Sequence, residues 1–423
     1  MSLAWQVRAA SGTEVLPSGW QVRRTGDLVT LNNGFPFPSQ SFGPTGDLPL
    51  VRIRDLGDQP FETYVSGHIP PSSVLRDGDV VIGMDGDFNL RIWDRGAAAL
   101  NQRLCLLRPR PSVDMRFVAY AFPSSLKIIN DLTFATTVKH LSSGDILSER
   151  IMLPPLEQQR RIADFLDTET AHIDRLVDLQ KRVVDRLNER EVAQLDNAID
   201  ELISRSATVP LRRFVWSVDQ GVSPQCEALT ASDDEWGVLK VSCLRPGMFN
   251  PGENKRLPDD IEPERSSEVR EGDLLITRAN TPQLVGSTAV VPKVRSKLLL
   301  SDKIFRVRLS EGVMPEFVAA IARGSRIRSL CAAGSNGASQ SMANIRFEEV
   351  KAWPVPSVQK ATQKEFVERI TRTREQLDAL RPLVDRQIAL LSERRQALIT
   401  AAVTGQFDVS TASGRNVTDG VQA

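Results

Sequence analysis

An internal repeat of about half the chain limits most strongly what these 423 residues can form. The proline-led segment LPPLEQQRRIADFLDTETAHIDRL (153–176) returns, more weakly, as WPVPSVQKATQKEFVERITRTREQLDAL (353–380). Five further pairs match in the same order: 20–34 with 209–221, 50–56 with 238–244, 75–84 with 269–278, 117–122 with 317–322, and 187–190 with 391–394. The offset grows from 188 to 204 residues, as expected for a duplicated unit with loop insertions.

Each copy combines a variable part with a long helix. The variable parts are rich in Gly and Pro and contain short apolar runs such as VVIGM, LCLLRP and KIFRVRLS, which is typical of a small domain built around a sheet. The predicted fold class is α+β: two pseudo-repeat units, each a mixed α/β domain followed by a long helix. The predicted boundaries are 1–152 and 206–352 for the domains, 153–205 and 353–409 for the helices, and 410–423 for a disordered tail.

Both long helices, expected to begin just after proline, carry apolar residues at a spacing of 3.5, which forms a narrow seam for another helix. The seam positions are Leu166, Ile173, Leu176, Val183 and Leu187 in the first helix, and Ile370, Leu377, Leu380, Val384 and Leu391 in the second. Two similar seams favour an antiparallel coiled coil with the variable domains at opposite ends. The alternative is that each helix only docks on its own domain. Pro382 is expected to kink or divide the second helix.

The sequence lacks the motifs of catalysis. It contains no GxxxxGK[ST] phosphate loop, no GxGxxG opening a βαβ unit and no Asn-Pro-Pro-aromatic motif of an amino-methyltransferase. Its three histidines lack metal-ligand spacing, and its four cysteines lie far apart, as expected of free thiols in a reducing cytosol. No apolar run approaches the roughly 20 residues of a membrane span. A role in binding and positioning is favoured, without a metal, a cofactor or a membrane partner.

The charge balance sets a condition on any nucleic-acid role. The formal net charge is zero, and residues 206–352 hold 20 basic against 18 acidic residues. DNA-binding domains are usually basic. DNA binding would therefore require that the positive charge gathers on one face, or that a partner supplies much of it.

The first helix resembles the helical conserved region of type I restriction–modification specificity subunits. The resemblance rests on the pattern Pro-Pro-Leu-x-x-Gln-x-x-Ile-x-x-x-Leu-Asp, then Ile-Asp-x-Leu, then Leu-x-Glu-Arg. These residues are Pro154, Pro155, Leu156, Gln159, Ile162, Leu166, Asp167, Ile173, Asp174, Leu176, Leu187, Glu189 and Arg190. LPSGW (16–20) and ERRQALITAAVTGQFDV (393–409) also look like parts of that family. The start of the second helix departs from the pattern, with no clear Glu-Gln-x-x-Ile.

The resemblance implies a non-catalytic subunit that gives a larger complex its DNA specificity. Each variable domain would read one half of a split target in double-stranded DNA, and the helices would set the spacing and dock modification subunits. Those subunits would bind S-adenosylmethionine and methylate adenine, while restriction subunits would use ATP and Mg. Two heads with one framework and different side chains are expected to read unlike half-sites, because a true two-fold reads a palindrome.

Candidate base contacts follow from the pairing of Arg and Lys with guanine, and of Asn and Gln with adenine. Arg52 and Arg54, and Lys240 in the second domain, alternate with apolar residues, as in a strand with one exposed face. A solvated face explains them equally well. Asp85 and Asp87 could accept from cytosine, although a turn is the better explanation. Other candidates in loops are Arg91, Arg278, Asn280 and Gln283. Lys139, Gln340 and Asn344 lie just before the helices and could hold phosphates, which position the protein without specifying bases; the alternative for them is a loop that caps the domain.

Two other classes of protein stay open at this point. One is a structural adaptor with two protein-binding heads on a coiled-coil rod, which near-neutral heads would suit. The other is an enzyme with a cryptic active site, against which the missing motifs argue. Salt separates the DNA and adaptor hypotheses, because DNA binding through several phosphates weakens steeply as the salt concentration rises.

Overall fold

A computed structural model describes residues 16–132, 139–334 and 343–409. The chain divides into two compact units, Met1–Leu179 with Gln387–Ala423, and Gln180–Arg386, so each long helix contributes residues to both. The helices of the described ranges are α1 Thr25–Leu28, α2 Met115–Leu132, α3 Ser143–Ser148, α4 Leu156–Arg205, α5 Pro315–Ala322, α6 Ser325–Gly334, α7 Phe347–Lys351 and α8 Lys360–Thr404.

The first head, residues 16–155, is built on a four-stranded antiparallel sheet. Its strands are β1 Gln21–Arg24, β2 Val29–Asn33, β3 Phe42–Gly43, β4 Leu48–Val51, β5 Tyr64–Val65, β6 Val74–Leu75, β7 Val80–Gly83, β8 Leu90–Ile92, β9 Ala98–Leu100, β10 Leu104–Pro109 and β11 Arg150–Leu153. The sheet has the order β2-β10-β7-β8. A second sheet contains the parallel pair β4–β9, and the antiparallel ribbon β1–β11 precedes α4.

The second head, residues 206–359, repeats this topology. Its strands are β12 Thr208–Pro210, β13 Val215–Gln220, β14 Gly237–Leu239, β15 Leu244–Arg245, β16 Met248–Phe249, β17 Asn254–Arg256, β18 Leu274–Thr277, β19 Ala279–Asn280, β20 Thr288–Val290, β21 Leu298–Leu299, β22 Ile304–Leu309, β23 Ala343–Asn344 and β24 Pro354–Pro356. The order β13-β22-β18-β20 matches the first sheet. The parallel pair β14–β21 and the ribbon β12–β24 complete the correspondence. The duplication predicted from the sequence is confirmed.

The central sheet of the first head is buried on both faces, which explains its continuous apolar runs. Along β10, Cys105 and Leu107 belong to the core shared with α2. Leu104 and Leu106, pointing the other way, belong to the core of the second sheet. Side chains alternate between the faces of a strand, so a strand with a core on each side has no polar face.

The long helices pair antiparallel, as predicted. In the first unit Asp174 of α4 pairs with Arg395 of α8 at 3.0 Å. In the second unit Arg381 bonds Glu191 at 2.6 Å, and Arg369 bonds Glu201 at 2.9 Å, so the partner number falls as the α4 number rises. The helices also contribute side chains to the cores of the heads, but the alternative in which each helix only docks on its own domain is wrong.

The predicted seam positions differ in burial. Leu166, Ile173, Ile370 and Leu377 are buried, Leu176, Leu187, Val384 and Leu391 are half-buried, and Val183 and Leu380 are 42% and 45% exposed. Pro382 does not divide the second helix, because α8 continues from Lys360 to Thr404. α4 begins directly after Pro155, whereas α8 begins four residues after Pro356.

A buried glutamine fixes the first turn of each long helix to its head. Gln159 accepts a hydrogen bond from the Asp114 amide at 2.9 Å and donates to the carbonyls of Ser112 and Pro154. Gln363 does the same with the Met314 amide, at 2.8 Å, and the carbonyls of Gly312 and Val358. Both glutamines are 1% exposed. Gln363 therefore corresponds to Gln159 of the family pattern, 204 residues further along the chain. The residues on either side of Gln363 depart from that pattern, so the correspondence is not evident from the motif alone.

Ion pairs connect each head to the long helices, and the arrangement of charges in one unit is the reverse of that in the other. In the first unit Arg116 of α2 contacts three carboxylates, those of Asp114, Asp164 and Asp167. In the second unit the carboxylate of Glu191 on α4 contacts three guanidinium groups, those of Arg323, Arg374 and Arg381. Burial raises the pKa of Glu191, but the hydrogen bond from Arg381 and the three positive charges outweigh it, so the pKa lies below its usual range.

Two glycines stand where the backbones of neighbouring segments touch. A Cβ on Gly34 would lie 2.0 Å from the carbonyl oxygen of Asn101, and one on Gly221 would lie 1.9 Å from that of Leu300. These glycines end the matched segments 20–34 and 209–221, so the same close approach recurs in both heads.

Substitution of Gly34 by alanine is expected to destabilise the chain by about 3 kcal/mol or more, because a carbonyl of the backbone cannot give way as a flexible side chain can. Gly57→Ala is the matched control, since its Cβ would meet nothing within 4 Å and its φ is −77°. Urea unfolding of both variants measures the difference. Equal midpoints would contradict the close approach.

Replacement of Glu191 by glutamine is expected to lower the free energy of unfolding by about 2 kcal/mol, because three arginines lose their shared anion. The pKa of Glu191 is depressed in the fold, so its contribution is complete above the unfolded pKa of about 4.3 and is lost as the pH falls below it. Glu189→Gln, which removes an exposed pair on the same helix, is the control and should cost under about 0.5 kcal/mol. The measurement is urea unfolding at pH 7 and pH 4. If Glu191→Gln lowers the free energy of unfolding no more than Glu189→Gln does, the ion pairs of Glu191 do not stabilise the fold.

Candidate DNA interface

Each head has one end that lies opposite its helix joint. Strand β10 begins directly after Arg103, and the chain that leaves its other end reaches Asp114, whose amide bonds Gln159. Six residues of strand, about 20 Å, separate the two ends. In the second head Lys303 precedes β22, and Met314 follows it at the joint with Gln363. We call residues 84–86, 103 and 139–141 the first distal rim, and residues 278–280, 303 and 343–345 the second distal rim.

Backbone hydrogen bonds hold the first distal rim together. The Met84 amide donates to the Arg103 carbonyl at 3.0 Å, and the Leu141 amide donates to the Met84 carbonyl at 2.7 Å. The Gly86 amide donates to the Lys139 carbonyl at 3.1 Å, and a β-bridge joins Asp85 to His140. Three distant segments of the chain thus form one rigid edge.

The second distal rim has the same backbone frame. The Arg278 amide donates to the Lys303 carbonyl at 2.7 Å, and the Ile345 amide donates to the Arg278 carbonyl at 2.9 Å. β19 and β23 pair antiparallel with Ala279 opposite Asn344. These contacts place Ala279 where the first rim has Asp85, Lys303 where it has Arg103, and Asn344 where it has His140.

The side chains on the two frames form different polar clusters. Asp85 accepts hydrogen bonds from Arg103 and His140. Burial raises its pKa, but these bonds outweigh the burial, and the pKa lies below its usual value. In the second head Asp302 stands beside the rim and accepts from Lys303 at 2.7 Å and from Ser223. Burial and these two bonds have the same opposing effects on the pKa of Asp302, which is also lowered.

Several residues predicted from the sequence lie at the distal rims. Arg278 and the exposed Asn344 belong to the second, and exposed Gln283 follows it. Asn280 is only 9% exposed, and its side-chain oxygen accepts from the Thr281 amide. Lys139 belongs to the first rim, where its ammonium group donates to Asn130. Gln340 lies outside the described residues. Their contacts with DNA stay a prediction.

The other predicted contacts lie away from the rims. Arg52 and Arg54 do not form a strand: β4 ends at Val51 and a 3-10 turn follows, because the Asp55 carboxylate accepts from the Arg52 amide and guanidinium. Lys240 likewise precedes a 3-10 turn and pairs with Glu253 at 2.9 Å.

Arg91 is held inside the first head, where it bonds two carboxylates and the carbonyl of Leu56. Two other rim residues, Arg103 and His140, were not among the sequence candidates. Arg103 and Lys303 each precede a matched strand, 104–109 and 304–309, so the repeat itself carried a signal for them.

The described residues provide no other obvious chemistry. No group of three or more His, Cys, Asp or Glu within them could hold a metal ion. The four cysteines are free, and burial raises the pKa of Cys105 and of Cys243 to about 12, which leaves both thiols unreactive. In the same residues no helix is both long and apolar enough to cross a membrane.

Comparisons of the sequence and of the fold point to one kind of protein. Residues 17–185 match the family model of the type I restriction modification DNA specificity domain. The type I restriction enzyme EcoBI specificity subunit of Escherichia coli is 26% identical over 408 residues, covering 90% of this chain and 84% of that protein. The EcoKI specificity subunit of Escherichia coli K12 is 23% identical over 421 residues, covering 93% and 90%.

The fold itself has a solved counterpart. A chain from a structural study of complex assembly and conformational transition in the type I R-M system aligns with a TM-score of 0.65 and 17% identity, over 93% of this chain and 100% of that one. This likeness concerns the fold, a duplicated head on paired helices. The chain is similar to type I restriction–modification DNA specificity subunits over most of its length, and the resemblance noted in its sequence is confirmed.

Proposed function

We propose that the two distal rims read the two halves of a bipartite, asymmetric sequence in double-stranded DNA. The observation that carries this is the repetition of one backbone frame with different side chains, in which His140 of the first rim corresponds to Asn344 of the second. Identical frames approach DNA in the same way, and unlike side chains select unlike bases.

The long helices would serve as the spacer and as the docking surface for modification subunits. α4 has 50 residues, or about 75 Å at 1.5 Å per residue. The glutamine joints would fix how each head leaves this element. Exposed apolar residues on both helices, including Val183, Val192, Leu380 and Leu383, offer contact area to such subunits.

The chain would itself be non-catalytic. S-adenosylmethionine would belong to the modification subunits, and ATP and Mg to the restriction subunits, all acting in the cytoplasm where the DNA lies. The first distal rim holds Arg103 and Lys139 but also Asp85, so its net charge is small. Much of the binding to phosphates would therefore come from the partner, and any test of DNA binding must include it.

Co-expression with the modification subunit, in a host without adenine methylation, is expected to give N6-methyladenine in one split motif with a fixed gap. Sequencing of the methylated DNA makes the measurement. Asn344→Ala should change the bases of one half only, and should lower methylation of the original motif about tenfold, since one good base contact contributes about 1–3 kcal/mol. A stable, active complex that methylates no defined motif would refute the proposal and favour the adaptor.

A further inference from the structure

One partly buried carboxylate in the first distal rim holds two exposed hydrogen-bond donors side by side. The side chain of Asp85 is 12% exposed. Its Oδ2 accepts from Nη1 of Arg103, whose side chain is 64% exposed. Its Oδ1 lies 2.8 Å from Nδ1 of His140, whose side chain is 63% exposed. The Asp85 carboxylate thus orients both donors, and both side chains are exposed to solvent.

The platform under these side chains is rigid. Asp85 lies between Met84 and Gly86, which are bonded through the backbone to Arg103 and Lys139 respectively. The side chain of Asn130 on α2 donates to the Gly86 carbonyl. Buried Phe88, 2% exposed, anchors the same turn at φ 52°. Donors held this firmly lose little conformational entropy when they bind a ligand.

The proton positions follow from the carboxylate. Asp85 has a lowered pKa and is ionised near neutral pH, so it can only accept. Nδ1 of His140 must then carry the proton of that bond, and Nε2 points away from Asp85. When the imidazole is protonated, Nε2–H is a charged donor; when it is neutral, Nε2 has only a lone pair.

We propose that Arg103 and protonated His140, positioned by Asp85, donate hydrogen bonds to acceptors of duplex DNA in the half-site read by the first head. This inference rests on the proposed function and deepens it. The acceptors are the O6 and N7 edge of guanine or the phosphate oxygens, which share this chemistry. Asp85 is a positioning residue and does not itself read cytosine.

Charged side chains lie beside His140 in the chain and across the rim. Asp85 and Arg103 share the carboxylate contact, and Lys139 is the preceding residue, with its ammonium group turned to Asn130. Residues 133–138, TFATTV, contain no titratable side chain. Affinity should therefore be higher when the imidazole is protonated, because only then does Nε2 carry a proton to donate.

The test uses the full chain in complex with its modification subunit and a duplex containing the mapped motif, at pH 6 and pH 8. The wild-type complex is expected to bind about fivefold more tightly at pH 6. His140→Gln should remove that difference, whereas His68→Gln, which changes an exposed histidine away from the rim, should retain it. Because His140 is exposed, its substitution should leave the fold intact.

Arg103→Ala and Asp85→Asn provide the second readout. Arg103→Ala should weaken binding about tenfold, and Asp85→Asn should reduce the pH dependence while both donors are still present. A relaxed first half-motif in the methylation map would identify the base edge as the acceptor, and uniform weakening at all sequences would identify phosphate.

An unchanged motif, affinity and pH profile in His140→Gln and Arg103→Ala would overturn this inference while leaving the split motif, and hence the proposed function, intact. Absence of any split motif with the wild-type chain would instead be a failure of the proposed function.

Discussion

The buried glutamine at the start of each long helix is the interaction on which the architecture depends. Gln159 and Gln363 each bond one amide and two carbonyls of the adjoining chain. Removal of either side chain would take away all three bonds at once, and each group left buried and unpaired costs about 1–3 kcal/mol. The same joint also orients the head, because each bonded amide lies five residues beyond the end of a central strand, Pro109 or Leu309. One residue therefore couples the fold of a head to the direction of its helix.

The fold was largely readable from the sequence because its signals are periodic and repeated. Three patterns extend over many residues, so a single atypical residue does not obscure them. They are the heptad spacing of α4 and α8, the apolar runs of the central strands and the ordered matches between the copies. Local signals were less reliable. Arg52 and Arg54 alternate as in a strand, but the Asp55 carboxylate captures the Arg52 amide and stabilises a turn instead. Pro382 would stop an isolated helix, yet α8 continues through it.

The rims were harder to predict because they are assembled from residues far apart in the chain. Asp85, Arg103 and His140 meet through backbone bonds among three segments, and none of the three has a distinctive sequence context. His140 looked isolated because its partner lies 55 positions away. Comparison of the two copies recovers part of this information, since equivalent frames show which positions share one edge. The same comparison shows that the frame consists of main-chain contacts, so the side chains on it are free to differ.

The opposite charge arrangements at the two ties have a consequence for folding. Arg116 of the first head meets Asp164 and Asp167 on α4, whereas its counterpart in the second head is Glu316. If the second head docked on the helix segment of the first, Glu316 would face Asp164 and Asp167. Repulsion thus keeps the second head away from a site at which the first head is held by attraction. A duplicated chain needs such a device, because its copies otherwise compete for the same partners.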